Sequence, residues 1–399
     1  MATINLQEPA YKGKQGPVFF AAGFRPFFLS AGIQAAVMLP LWLLVWEGIA
    51  ALALPYSPAL WHGHEMVFGF AAAAVGGFLL TAVPSWTNTP YVSGRPLMVL
   101  WGLWLAGRLA FTLGGVLPAP LVALVDMAYL PLLAVLVAKP LIAAGKWRNI
   151  AFVPILALFT VANALVHVEA AGGYPVGLMG VWLGIFIVLV MIAIVGGRIV
   201  PSFTLNWLRM NGRPTEVKPV GWIEKGGAAG SVLLAAAMEI HFPGPVAGVA
   251  LLAAAAVHGV RLAGWHGGKT LSNPILWVLH LGYLWLVVGL ALLGLANLVP
   301  DFPASAAVHA LTAGCVGSMV IGVMSRAALG HSGRPLELSS ATVGAYVLIS
   351  LGALLRVLSP LAPEAMTVAG GLAWSAGWLV FVVVYWPIVT RPRADGRPG

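Results

Sequence analysis

Residues 177–197 read GLMGVWLGIFIVLVMIAIVGG, a stretch without a charged side chain. A helix of that length is about 30 Å long and matches the hydrocarbon core of a bilayer. The sequence therefore predicts an all-α polytopic membrane protein, a single domain over 1–399 with twelve transmembrane helices. The apolar stretches that we expect to cross the bilayer lie at roughly 27–50, 60–84, 97–116, 119–138, 149–169, 177–200, 219–239, 245–264, 273–299, 304–326, 339–359 and 366–389.

The composition points to the same class of protein. Of the 399 residues, 60% are hydrophobic and 8% are charged, whereas a soluble domain carries about 25% charged residues. An ordinary cytosolic enzyme, a disordered tail and a fibrous repeat are therefore excluded. The net charge of +9 lies in short loops between apolar stretches, so it predicts a topology signal in a lipid bilayer and no nucleic-acid partner.

The charge distribution predicts the orientation in the membrane. Most Lys and Arg residues fall at one set of span ends, whereas acidic residues mark the opposite ends, at Glu47, Glu169, Glu239, Asp301 and Glu364. By the positive-inside rule both termini are cytoplasmic. Residues 1–26 are then a cytoplasmic N-terminal segment and residues 391–399 a cytoplasmic tail.

A Gly-Arg-Pro tripeptide follows spans two, six and ten, at 94–96, 212–214 and 333–335. The regular spacing predicts three pseudo-repeated arcs of four helices, over 27–145, 146–270 and 271–390. The alternative is a simple helix-boundary signal, in which Gly ends one element, Arg stays at the cytoplasmic face and Pro starts the next helix. A fourth copy at 396–398, off the period, favours this alternative.

The histidines form two layers in the predicted topology. His62 and His64 open span two at the outer face and His309 lies in span ten, whereas His258 and His280 lie nearer the inner face in adjacent spans. Neutral imidazole is a preferred nitrogen ligand of haem iron and copper, and polar groups within spans are functional hypotheses. The alternative for any one of them is an interhelical hydrogen bond.

Residues 61–66 read WHGHEM, the sharpest local motif. Residues two apart on a helix point about 200° apart, so His62 and His64 do not share one metal unless the span starts after His62. Glu65 could orient an imidazole, shuttle protons or ligate a metal. Its alternative is a helix-start carboxylate favoured by the helix dipole.

Other polar residues within or beside spans have two interpretations each. Arg198 and Arg326, at matching inner ends of spans six and ten, suit haem propionates, and the alternative is inside-positive anchoring. Arg108 and Asp126 could form a buried pair or part of a proton path, and His167 closes span five at the outer face.

The chain has one cysteine. A CxxCH attachment site, a disulfide and an iron–sulfur cluster are therefore excluded, and any haem is expected to be b-type and held without a covalent bond.

Seven motifs over nearly the whole chain resemble those of the NnrS family: FRPFF at 24–28, WHGHEM at 61–66, GFLLTAVP at 77–84, GRIVP at 197–201, HLGY at 280–283, HALT at 309–312 and ALGHSGRP at 328–335. The family often has Thr where this chain has Ser332. The resemblance implies a bacterial inner-membrane protein that contains haem and copper, is made in response to nitric oxide and protects against nitrosative stress.

The resemblance and the two layers together predict the site residues. We expect catalysis to involve Glu65 and His280. We expect cofactor binding by His62, His64, His309, His331, Arg198 and Arg326, and metal binding by His62, His64, His258, His280 and His309.

Twelve spans in three arcs, with histidines on spans two and ten, also resemble the catalytic subunit of haem–copper oxidases and nitric oxide reductases. There a low-spin haem lies between one histidine of each of those spans. The resemblance implies that His62 or His64 acts together with His309, and a second metal site is then expected from His258 or His280.

Two hypotheses of function remain open at this point. The first is a membrane oxidoreductase that reduces nitric oxide at a haem or metal centre with electrons from quinol. The second is a haem- and copper-binding sensor, or a transporter, in which nothing turns over. Three arcs in place of an inverted two-part repeat count against a transporter.

Overall fold

The computed structural model describes residues 16–217 and 220–397. Lys12, Lys14 and Lys218, which contribute to the predicted orientation, lie outside the described residues. The described residues are helical and contain no strand. They form twelve helical segments, and the π-helical segments within α2 and α10 are counted as part of those two helices. The helices are α1 Phe24–Trp46, α2 Pro58–Thr87, α3 Arg95–Thr112, α4 Ala119–Ala143, α5 Phe152–Ala170, α6 Gly177–Met210, α7 Ala228–His241, α8 Pro245–Ala263, α9 Pro274–Ala296, α10 Ala304–His331, α11 Ser340–Leu358 and α12 Pro363–Thr390.

Ten of these helices are long and apolar enough to cross a membrane, so the chain is a multi-pass membrane protein. The two others are α3, which carries Arg95 and Arg108, and α7, which has 14 residues. A 14-residue helix is about 21 Å long and does not by itself span the hydrocarbon core. The count of twelve spans and the cytoplasmic position of both termini therefore stay predictions.

The glycines of the Gly-Arg-Pro tripeptides all have a positive φ. Gly94, Gly212, Gly333 and Gly396 have φ values of 64°, 66°, 70° and 72°. Only glycine adopts such positive φ values without strain, and proline is favoured in the first turn of a helix. Because Gly396 of the fourth, off-period copy also has a positive φ, this feature does not distinguish a repeat from a simple helix-boundary signal, and the three arcs stay a prediction.

The chain divides into two compact units. The first comprises Ile185–Val323 and Glu337–Gly377, and within it α8 packs against α7 and α9, and α10 against α9 and α11. The described part of the second comprises residues 16–184, Met324–Leu336 and residues 378–397. In this second unit α2 packs against α1 and α4, and α4 packs against α3 and α5.

Two helices contain a π-helical segment directly after a histidine. In α2 the segment Glu65–Ala71 follows His64, and in α10 the segment Ala310–Val316 follows His309. A π segment inserts an extra residue into the helical turn and is found mainly at functional sites. A π-helical segment is thus present in each of the two helices on which the sequence predicts haem-binding histidines.

Candidate metal centre

The start of α2 places a histidine inside the second unit. Ser57 caps the helix, its Oγ accepting a hydrogen bond from the Leu60 amide at 3.2 Å, and Pro58 occupies the first turn. This cap fixes the rotation of the first two turns. His64 is then wholly buried, whereas His62 is half-buried and stacks on Trp42 with ring centroids 4.6 Å apart. The two histidines of the WHGHEM motif therefore have different surroundings.

A buried polar cluster surrounds His64. Its members come from four helices and are at most 5% exposed: His64, Glu65, Arg108, Asp126, Asn163 and His167. Charged side chains are almost never fully buried unless they are paired. The hydrogen-bond and ion-pair partners of all six buried polar side chains therefore have to be identified.

Asp126 lies at the centre of the cluster. Its Oδ2 is 2.8 Å from His167 Nε2 and 3.1 Å from His64 Nε2, and it accepts a hydrogen bond from Asn163 Nδ2 at 2.8 Å. Its Oδ1 forms an ion pair with Arg108 Nη2. The pairing of Arg108 with Asp126 considered from the sequence is thus present, with two imidazoles on the other carboxylate oxygen.

Glu65 occupies the opposite side of the Arg108 guanidinium. Its Oε1 accepts from Arg108 Nη1 at 2.8 Å and is 3.4 Å from His64 Nδ1. Its Oε2 accepts from Gln34 Nε2 at 2.5 Å. Glu65 therefore touches one ring nitrogen of His64 while Asp126 touches the other.

With both carboxylates ionised and both imidazoles neutral, the cluster has one negative charge in excess. Two carboxylates, Glu65 and Asp126, face one guanidinium, that of Arg108. An uncompensated charge in a buried site costs several kcal/mol. One further positive charge, either a proton on an imidazole or a metal cation, would balance the cluster.

The donor atoms fit a metal cation. His64, His167 and Asp126 each offer one ligand atom, and these three atoms lie within 4.8 Å of one another. Ligand atoms bonded to one cation at about 2.0–2.1 Å lie at most about 4.2 Å apart, so the group is close to the spacing that a cation needs. Asn163 Oδ1, 2.9 Å from His64 Nε2, is a second oxygen and the fourth donor atom at the same place. Two imidazoles with oxygen donors suit copper, iron and zinc.

Close packing holds these groups in position. The His64 ring stacks on Phe111 of α3 with centroids 3.5 Å apart and an interplanar angle of 19°. At Gly107 a Cβ atom would lie 3.0 Å from the Asp126 Cα and 2.7 Å from its Oδ1. The glycine therefore allows α3 to approach α4 closely enough for the ion pair to form.

The structure places His258 in a separate network in the first unit. Its Nε2 donates to the Ala228 carbonyl at 3.1 Å, so its Nδ1 accepts from the Tyr283 hydroxyl at 2.7 Å. Tyr283 in turn accepts from Arg261 Nη1 at 3.0 Å, and Arg261 forms a two-point ion pair with Glu224. Both nitrogens of His258 are thus engaged by protein groups.

His280 has one nitrogen without a partner. Its Nε2 is 2.9 Å from Thr204 Oγ1, and its buried Nδ1 makes no hydrogen bond within the described residues. Gly267 faces this atom, because a Cβ there would lie 2.7 Å from Nδ1. An orphaned imidazole nitrogen beside a glycine fits a small ligand or a metal bond.

His309 is half-buried, and one of its two ring nitrogens is hydrogen-bonded to a carbonyl of its own helix. Its Nδ1 donates to the Ser305 carbonyl at 2.7 Å. The other nitrogen then carries the lone pair, which is the arrangement usual in metal-binding histidines. His309 belongs to the first unit and His64 to the second, so the predicted pairing of these two on one haem stays a prediction.

The remaining predicted cofactor residues lie elsewhere. His331 Nδ1 is 3.0 Å from the Tyr91 hydroxyl at the end of α10, and its ring lies 5.9 Å from that of Phe24. Arg198 in α6 and Arg326 in α10 are half-buried. The structure does not bring these three residues into the cluster around His64.

Of the six cluster members, the sequence predicts two, His64 and Glu65, as site residues. It indicates Arg108 and Asp126 as a buried pair or part of a proton path, and it does not select Asn163 and His167. The signal was present, since an asparagine and a histidine four residues apart lie on one face of α5. This spacing alone does not predict a site, because the sequence does not show that this face of α5 packs against Asp126.

The chain matches the sequence model of one protein family over residues 18–393, and the description of that family is "NnrS protein". A comparison with curated proteins gave no match. The matched residues include the FRPFF segment, both π segments with the histidines before them, and residues 391–393 of the tail. The chain therefore belongs to the NnrS family, and this membership makes it a membrane protein of the nitric oxide response.

Proposed function

We propose that this protein removes nitric oxide by reducing it at a metal centre in the bacterial inner membrane, with electrons from quinol, and that it contains haem b and copper. The proposal includes twelve spans with both termini in the cytoplasm. The observation that carries it is the buried group of His64, Asp126 and His167, whose ligand atoms lie within 4.8 Å of one another beside an excess negative charge.

Copper is the metal that we assign to this group. Two imidazoles and a carboxylate satisfy its preference for nitrogen and oxygen ligands. When bound, copper would supply a one-electron redox centre and a Lewis acid. Arg108 holds the Asp126 carboxylate in place, and Glu65 contacts the second nitrogen of His64, so that both side chains orient ligands of the metal.

Haem is assigned to His309. Its Nδ1–Ser305 hydrogen bond directs the lone pair to Nε2, and the π segment that follows matches the one after His64. Arg198 and Arg326 are the proposed partners of the propionates, and His62 is the proposed second histidine of the haem. His258, His280 and His331 keep their predicted cofactor roles as hypotheses, as do Glu65 and His280 in catalysis.

One observation favours the second function, a binding protein without turnover. Asn163 Oδ1 lies 2.9 Å from His64 Nε2 and could complete a set of four protein ligands. Metal sites closed by four protein ligands are generally structural, whereas catalytic sites keep one position open. A sensor or a store for nitric oxide and copper would fit such a closed site.

Metal analysis of the purified full-length protein tests the assignments. We expect His167→Ala and Asp126→Asn to lower copper per chain at least tenfold without loss of haem, and His309→Ala to remove haem without loss of copper. His241→Ala, an exposed histidine outside both groups, is the matched control. Copper retained in both cluster variants would contradict the metal centre.

Turnover distinguishes the two functions. In proteoliposomes with a reduced quinol, the reductase predicts continued loss of nitric oxide with nitrous oxide as product, abolished by His167→Ala. If uptake stops after one equivalent of nitric oxide per haem with several donors tried, the binding function is correct.

A further inference from the structure

A cationic pocket lies where α6 ends and α9 begins. It has a volume of about 530 Å³, and its lining is Arg213, Pro214, Thr215, Gly268, Lys269, Leu271 and Ser272. Two basic side chains and two hydroxyls line this pocket, and no carboxylate is among the lining residues. This composition is complementary to an anion.

Two hydrogen bonds between loops build the pocket. Lys269 Nζ donates to Thr215 Oγ1 at 3.0 Å, and His266 Nε2 donates to the Glu216 carbonyl at 3.0 Å. Thr215 itself donates to the Arg213 carbonyl at 3.3 Å. The α6–α7 loop and the α8–α9 loop are thus tied together, and each loop contributes one of the two cations.

The cationic groups keep free hydrogen-bonding capacity. The Arg213 guanidinium and the Ser272 hydroxyl make no hydrogen bond within the described residues, and Lys269 uses one of its three donors. Guanidinium, ammonium and hydroxyl donors around one space are the usual recognition chemistry for phosphate oxygens. A phosphate group would therefore find several donors at once.

The location of the pocket points to lipid as the source of the phosphate. Two helices that can cross the membrane, α6 and α9, have their ends beside it, so it lies at the depth of the headgroups. Leu271 lines it and is 72% exposed, and the neighbouring Met210 is 86% exposed. Apolar side chains next to cations suit a molecule with a phosphate and acyl chains.

We propose that the pocket formed by Arg213, Thr215, Lys269 and Ser272 binds a phosphate-bearing anion, namely the headgroup of an anionic phospholipid. It is separate from the cluster around His64, and it does not depend on the proposed reduction of nitric oxide. Since this Arg213 belongs to a Gly-Arg-Pro tripeptide, the tripeptide has a ligand-binding use here in addition to its helix-boundary role.

Native mass spectrometry of the full-length protein tests this proposal. The protein is given phosphatidylglycerol, phosphatidylcholine with the same acyl chains, or inorganic phosphate. We expect phosphatidylglycerol to be retained in preference to phosphatidylcholine, and the double variant Arg213→Gln/Lys269→Gln to bind it about 30-fold more weakly, since each Lys or Arg near the surface contributes about 1 kcal/mol.

The double variant Lys146→Gln/Arg148→Gln is the matched control, because it removes the same charges from another exposed loop. It should leave retention unchanged. Equal loss in both double variants, or equal retention of the two lipids together with no binding of inorganic phosphate, would overturn the proposal. Equal retention of the lipids with Arg213-dependent binding of inorganic phosphate would support the anion site and overturn the lipid source. If the double variant does not fold, the single variants Arg213→Gln and Lys269→Gln give the same comparison.

Discussion

Arg25 of α1 holds the end of α12. Its Nη1 donates to the Val389 carbonyl at 2.8 Å and to the Arg391 carbonyl at 2.9 Å, although more than 360 residues separate the partners in the chain. Carbonyl groups in the last turn of a helix have no partner within the helix. The arginine of the FRPFF motif therefore caps the final helix, which explains a buried charge near the start of the chain without a cofactor.

We predict that Arg25→Met destabilises the folded protein by about 3 kcal/mol, because hydrogen bonds from a charged donor are lost and two carbonyls lose a partner. Thermal unfolding in detergent measures this change. Arg25→Lys should cost less, since an ammonium keeps a donor at the same place. Arg95→Met, at an exposed arginine, is the control. Equal stability of Arg25→Met and Arg95→Met would contradict the capping role.

The balance of charge around Arg108 gives the second prediction. Arg108→Met leaves Glu65 and Asp126 buried with no guanidinium, so we expect a loss of about 3–5 kcal/mol in stability. Adding Glu65→Gln restores the original difference between negative and positive charges, and the double variant should recover part of that loss. Urea unfolding of the three proteins measures the recovery. If the double variant is less stable than Arg108→Met, charge balance does not govern this cluster.

The helical class of the protein could be predicted from sequence because apolar length and composition are local properties. Ten helices meet the criteria for a span. The sequence also predicts spans at 97–116 and 219–239, but α3 carries Arg95 and Arg108 and α7 has 14 residues. Two cationic side chains in α3 and the short length of α7 therefore separate these two helices from the ten span candidates.

The candidate site could be predicted only in part. The sequence indicates Arg108 and Asp126 as candidates because ionisable groups are rare within spans. It does not indicate Asn163 and His167, since their role depends on the packing of α5 against α4, which is a tertiary contact. In the same way, the hydrogen bond between His258 and Tyr283 is a tertiary contact that the sequence does not show.

The network in the first unit gives the third prediction. Tyr283→Phe removes the hydroxyl that donates to His258 and accepts from Arg261. The buried Nδ1 of His258 then has no partner, whereas Arg261 Nη1 keeps its hydrogen bond to the Ala193 carbonyl. We expect a loss of about 1–3 kcal/mol in unfolding free energy, with copper and haem retained. Tyr174→Phe, at a tyrosine that is 81% exposed, is the control and should be neutral. Loss of copper in Tyr283→Phe would instead assign a metal to His258.

The C-terminal tail gives the last prediction. Arg393 donates to the His331 carbonyl at 2.9 Å and pairs with Asp395, while the Ala394 amide donates to the Ser332 carbonyl at 2.9 Å. The hydrogen bond from Arg393 lowers the pKa of Asp395 from 3.8 to about 2. The docked tail thus gains stability above the ordinary carboxyl pKa, and it loses this contribution as the pH falls from about 4 towards 2.

Hydrogen exchange of the Ala394 amide, normalised to the intrinsic rate at each pH, measures this effect. Protection should fall between pH 5 and pH 2.5 because protonation of Asp395 weakens its pairing with Arg393. Asp395→Asn should show the lower protection at pH 5 already and little further change on acidification. Glu364→Gln, which removes a carboxylate outside the tail, should behave like the unaltered protein. If the protection of Ala394 is independent of pH in the unaltered protein, or if Asp395→Asn retains full protection at pH 5, the ion pair does not hold the tail in place.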